Sequence, residues 1–180
     1  LGDPAFAVAC FERSRRIHAE RSHHREVVAA DLSIARGREE LGRFDEALAG
    51  LQTALAACRR EGYRDLEGQV LVTVARIRLR QGRAGEAAGL SRQVLAMGDE
   101  LPRDTACWGG LRLAEALAVQ DSVTAALAVL DAVAAAGADA LVELELGLSR
   151  GRLLLRLDQA AAARSQLANV SREAARNGLN

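Results

Sequence analysis

Three histidines, His18, His23 and His24, fall close together, and imidazoles so placed could share a metal ion or pass a proton. The acids nearby are the isolated Glu20 and Glu26, and no cysteine joins them at helix-face spacing. A solvated turn accounts for the cluster better than a metal site. Cysteine is odd in number and scattered, at Cys10, Cys58 and Cys107, without the paired spacing of a zinc site or a disulfide framework. Reduced, buried thiols in a cytosolic protein are the plain reading. Glu39 and Glu40, and Glu143 and Glu145, are paired carboxylates of the kind used for acid–base work, but both pairs lie on arginine-rich stretches where exposed ion pairs explain them better. The Trp108-Gly109-Gly110 stretch has neither a phosphate-loop pattern nor a preceding strand, so its glycines are expected to allow close helix contact. Cys107 has no histidine in its half of the chain. No catalytic residue, metal ligand or cofactor site is expected, and the chain does not read as an enzyme.

Composition narrows the partners. Among 180 residues the aromatic share is 3% and the hydrophobic share 49%, carried mostly by Ala, Leu and Val, which suits closely packed helices. Lys+Arg 24 balance Asp+Glu 24, so no overall field draws the chain to nucleic acid or an anionic membrane, and no contact with either is expected. Every basic side chain other than histidine is arginine, which reflects a GC-rich genome better than a phosphate-binding task. No apolar run reaches 18 residues and no signal-like segment opens the chain. A cytoplasmic fragment of something longer is the expectation.

The elements read as helices. In VVAADLSIARGREEL, Val27, Ala30, Ile34 and Leu41 recur at three-, four- and seven-residue spacing, and Leu66, Val70, Val74 and Ile77 repeat that rhythm in LEGQVLVTVARIRLR. Proline occurs only at Pro4 and Pro102. Each such helix ends near Gly42, Gly82, Asp121 or Asp158, where glycine can close a helix and aspartate can cap the next one. About nine helices result: one over residues 3–19, the second half of a truncated unit, and then four pairs.

Three registers tie the units together. Five residues after each turn stands a small side chain, Ala7, Ala47, Ala87, Ala126 or Ala163; seven before it stand Ala35, Ala75, Ala114 and Gly151; twelve after it stand Ser14, Ala54, Val94, Val133 and Val170. A unit repeated for packing, not for chemistry, is what such agreement demands.

The stretch LGRFDEALAGLQTAL resembles the middle of a tetratricopeptide repeat: Gly42 matches its turn glycine, Phe44 its aromatic, and Ala47 and Ala54 its small positions. The resemblance implies an all-α fold, a right-handed superhelix of antiparallel helix pairs. It divides the chain, as a single domain over 1–180, into a half repeat at 1–24 and repeats at about 25–62, 63–101, 102–137 and 138–177. The usual period is about 34 residues, whereas the turns at 2, 42, 82, 121 and 158 lie 40, 40, 39 and 37 apart. Such lengthened repeats are similar to those that follow DNA-binding, nucleotide-binding or kinase modules in large bacterial regulators. The last unit resembles the closing repeat of such proteins. Two departures stand out: Asp31, Leu71, Gly110 and Gly147 occupy the place of a large residue early in the first helix, and Arg38 and Arg78 that of a common tyrosine.

Carried over by turn register, the family's groove-lining positions fall on Leu32, Arg36, Glu39 and Glu40; on Gln69, Val72, Arg76, Leu79 and Arg80; on Trp108, Leu111, Glu115, Ala118 and Val119; and on Glu145, Leu148, Arg152, Leu155 and Arg156. Arg36, Gln69, Arg76, Arg80, Trp108, Arg152 and Arg156 are the expected partner-binding set, suited by two-point guanidinium pairing and an exposed indole to an acidic or C-terminal peptide. A blander reading competes, in which the arginines pair with Glu39, Glu40, Glu115 and Glu145 and Trp108 fills a gap between repeats. The resemblance implies a non-catalytic scaffold binding a protein or peptide. The alternative is a ligand-sensing segment of a bacterial transcription regulator or kinase. Self-association through an exposed face at Phe6, Cys10 and Ile17 is a further expectation.

Overall fold

The computed structural model describes residues 3–137 and 139–178, so the first turn position, Gly2, lies outside the described residues. Nine α-helices and one short 3-10 turn make up the described chain: α1 (Pro4–Glu20), α2 (His24–Glu40), α3 (Phe44–Glu61), α4 (Arg64–Arg80), α5 (Ala84–Ala96), the turn Gly98–Glu100, α6 (Arg103–Val119), α7 (Val123–Ala136), α8 (Ala140–Arg156) and α9 (Ala160–Arg176). The stretch VTVARIRLR, strand-like in isolation, lies wholly within α4. No described helix is long and apolar enough to cross a membrane.

One turn geometry recurs six times. The backbone N–H of His23, Arg43, Tyr63, Arg83, Ser122 and Gln159 each donates to the carbonyl five residues back, at 2.8 to 3.0 Å, and the preceding residue is left-handed, with φ of 56° at Ser22, 73–75° at Gly42, Gly62 and Gly82, and 58° at Asp121 and Asp158. This closure satisfies carbonyls that a helix end leaves orphaned. Asp121 and Asp158 therefore do the work of glycine instead of capping the next helix, whose N-cap residues are Ser122 and Gln159. Side-chain caps do form at Asp3, which accepts from the Ala5 amide, and at Asp139, which accepts from Val142 at 2.8 Å.

The register residues are where the backbones meet. Ala47, Ala87, Ala126 and Ala163 are all 0% exposed, and Ala35, Ala75, Ala114 and Gly151 are buried too. Gly110 and Gly147 replace a large residue because each faces a valine of its own pair: a Cβ on Gly110 would collide with Val133, and one on Gly147 with Val170. Gly109 meets Val94 of the preceding pair in the same way, so the two glycines after Trp108 let α6 press against both α5 and α7. Arg38 and Arg78 likewise have a shared task. Each reaches forward to the next helix of its pair, Arg38 to Glu46 and Arg78 to Glu86, at 3.9 and 3.2 Å.

Helices α2, α4, α6 and α8 pack side by side, while α3, α5, α7 and α9 lean on them and touch one another far less. Such a two-layer row curves with the first helices on its inner face. Helix α1 packs on α2, with only Val8 buried on it; Phe6, at 70% exposure, Cys10 and Ile17 lie open.

Candidate functional site

The inner helices bear a cavity of about 550 Å³. Its walls are Arg36 from α2; Gln69, Val72, Thr73 and Arg76 from α4; Pro102, Asp104, Thr105, Trp108 and Arg112 at and within α6; and Asp139 and Leu141 at the start of α8. Counted from each unit's turn, the lining drifts from six residues before it on α2 to nineteen before it at α8. The cavity is thus an oblique trench crossing four helices, not a band at one level.

Four of the seven expected residues, Arg36, Gln69, Arg76 and Trp108, come together there. The other three do not. Arg80 donates from Nη1 to the Glu39 backbone carbonyl at 3.1 Å, and its guanidinium stacks over the Phe44 ring at 5.1 Å. Arg156 makes the equivalent contact one unit-pair on, donating to the Ala118 carbonyl and, at 2.6 Å, to Asp121. Both are repeat-to-repeat struts that satisfy the C-terminal carbonyls of the neighbouring inner helix. Arg152 is exposed on α8, outside the trench lining.

Electrostatics divides the trench arginines by role. Arg76 is committed to Glu39 through Nε at 3.0 Å and Nη2 at 2.5 Å, and Glu39 is only 4% exposed. Arg112 donates to Glu115 at 2.8 Å and lies over the Trp108 ring at 5.5 Å. Burial lowers the Arg112 guanidinium pKa against the pull of Glu115, and burial raises the Glu115 carboxyl against the pull of Arg112. Its Nε is buried without a hydrogen-bond partner among the described residues. Arg36 is exposed, and its pKa is lowered first by desolvation, then by the charge of Arg76, with Glu39 opposing. An anion placed beside Arg36 would relieve that strain.

Residues that sequence reasoning missed, Asp104, Asp139, Arg112 and the hydroxyls of Thr73 and Thr105, lie at other registers. Asp104 and Asp139 carry an ordinary helix-start signal, which hides any second task. A separate hollow of about 450 Å³ runs between α1, α2 and α3, and four of the charged residues lining it pair with one another, Arg15 with Asp31 at 2.5 Å and Arg38 with Glu12 at 2.9 Å. His18 and His23 approach through their Nδ1 atoms at 3.4 Å. No group of three metal-ligating side chains assembles among the described residues.

A family model described as tetratricopeptide repeat matches residues 26–100. No curated protein matches the chain. Two solved structures share the fold, both of a Podosopora anserina protein described as a kinesin light chain with nearly identical TPR-like repeats. A point variant of it is 22% identical with a TM-score of 0.71, covering 98% of this chain and 89% of that one; a second structure is 22% identical with a TM-score of 0.68, covering 97% and 88%. Residues 26–100 therefore match the tetratricopeptide repeat family by sequence, and the helices on either side of them share the TPR-like fold.

Proposed function

We propose that the chain is a non-catalytic interaction scaffold that takes an extended protein segment in the trench on its inner helices. Repeats of this family generally mediate protein–protein interaction. The observation that carries the reading is the trench itself: four successive inner helices contribute to one cavity, with the single tryptophan half-buried in its wall and Arg36 exposed at one end. A half-buried aromatic beside guanidinium groups is the composition that anchors protein interfaces.

The test is affinity capture from lysate of the source cell with three forms of the chain: wild type, Arg36→Glu with Trp108→Ala, and Arg92→Glu, which changes an exposed residue of the outer helix α5. Partners captured by the wild type and the α5 variant, and lost from the trench variant, are expected. Equal capture by all three forms would remove the trench from the account. Arg76 and Arg80 are unsuited to this test, because replacing them breaks the α2–α4 stack.

A further inference from the structure

The trench is charged differently at its two ends, and this sets the kind of segment that fits it. At the α2 end two guanidinium groups, Arg36 and Arg76, line the trench, and the carboxylate beside them, Glu39, is shared by Arg76 and by Arg80 from outside the lining. Arg36 makes no hydrogen bond or ion pair among the described residues, since Glu39 is taken up by Arg76 and Arg80. At the other end, Asp104 and Asp139 stand at the starts of α6 and α8. Both line the trench, and their charges add to burial in raising the pKa of the Cys107 thiol. Asp139 spends one oxygen, Oδ1, on the Val142 amide. Arg103 also acts on that thiol but lies against Gly137 and outside the trench lining. Trp108 and Leu141 add apolar surface to the lining, and its remaining charge, Arg112, is paired with Glu115.

We infer that the trench selects an extended peptide segment of mixed charge, with a carboxylate at the α2 end, an apolar side chain over Trp108 and Leu141, and an ammonium or guanidinium at the α8 end. The inference rests on the trench being the binding surface. It departs from a uniformly acidic segment, which Arg36 would attract and Asp104 and Asp139 would repel. Length supports an extended chain: crossing four helices at about 9 Å between axes, obliquely, spans roughly 30 Å, which about nine residues cover at about 3.3 Å each.

Panning a random nonapeptide phage library on the 180-residue chain tests this. The expected pool carries Asp or Glu toward one end, Lys or Arg toward the other and an apolar residue between. Synthetic peptides from it should bind Asp104→Arg about tenfold more weakly, a change of about 1.4 kcal/mol. Repanning on Asp104→Arg should yield acids at both ends, and repanning on Arg36→Glu cations at both. Circular dichroism checks that each variant stays helical. A wild-type pool acidic at both ends, or with no order to its charges, overturns the mixed-charge inference and leaves the trench reading standing. Peptides that bind wild type, Arg36→Glu and Trp108→Ala alike overturn the trench reading. A pool no different from the starting library overturns both.

Discussion

Arg76 of α4 grips the Glu39 carboxylate of α2 through Nε and Nη2, at 3.0 and 2.5 Å, and so ties one repeat to the next at the edge of the trench. Arg80 completes the clamp at 3.1 Å to the Glu39 carbonyl. Removing the shared acid leaves Arg76 and Arg80, one turn apart on α4, without their common carboxylate. Glu39→Ala is expected to cost about 2 kcal/mol, below the usual figure for a fully buried pair because both arginines keep solvent contact. Urea denaturation measures it, with Arg36→Ala as the control expected within about 0.5 kcal/mol of wild type.

The glycines of α6 and α8 should behave unlike those of α3 and α5. A Cβ on Gly110 meets Val133, whereas one on Gly50 or Gly89 meets nothing within 4 Å. Gly110→Ala is expected to lose about 2 kcal/mol through overpacking, and Val133→Ala in the same chain should recover part of it in a double-mutant cycle. Gly50→Ala and Gly89→Ala should each gain about 0.5 to 1 kcal/mol from helix propensity. Thermal unfolding of the set decides between these signs.

The left-handed aspartates are a second place where exchange should help. Asp158 holds φ at 58° and is exposed, a conformation that glycine reaches without penalty. Asp158→Gly is expected to raise stability by about 0.5 to 1 kcal/mol, and Gly82→Ala, at φ 75°, to lower it by about 1 kcal/mol. Guanidinium chloride midpoints of the two variants test the pair.

How far the sequence could be read follows from what each feature depends on. Helix pairs, turn positions and the buried alanines rest on local spacing, and Ala47, Ala87, Ala126 and Ala163 are all sealed in the structure. The inner-helix face was legible as well, since Arg36, Gln69, Arg76 and Trp108 do line one cavity. Register equivalence failed beyond that. It placed Arg76 and Arg80 beside Arg152 and Arg156, but the trench climbs from helix to helix, so residues at one register do not share one site. Nor could spacing reveal that Glu39 absorbs Arg76 and Arg80, because that pairing across 37 and 41 residues is fixed by how the helices stack.

Acid should loosen the first stack boundary. Arg25 donates from Nη1 to Asp65 Oδ1 at 3.2 Å and from Nη2 to Oδ2, and these hydrogen bonds hold the Asp65 carboxyl below its ordinary range. A carboxyl depressed in the folded state binds fewer protons there than in the unfolded chain. Its contribution is therefore present above the unfolded value near 3.8 and is lost as pH falls through the lower folded one. Asp65→Asn should be less stable than wild type at about pH 6, with the gap closing by about pH 2.5 in urea titrations.

Backbone amide shifts, followed by NMR while a trench-selected peptide is titrated into the chain, test the central claim most directly. Perturbations are expected to concentrate on α4, α6, the C-terminal half of α2 and the first turn of α8, along the oblique path of the cavity. Perturbations centred on α3, α5, α7 or α9 would place binding on the outer layer and contradict it.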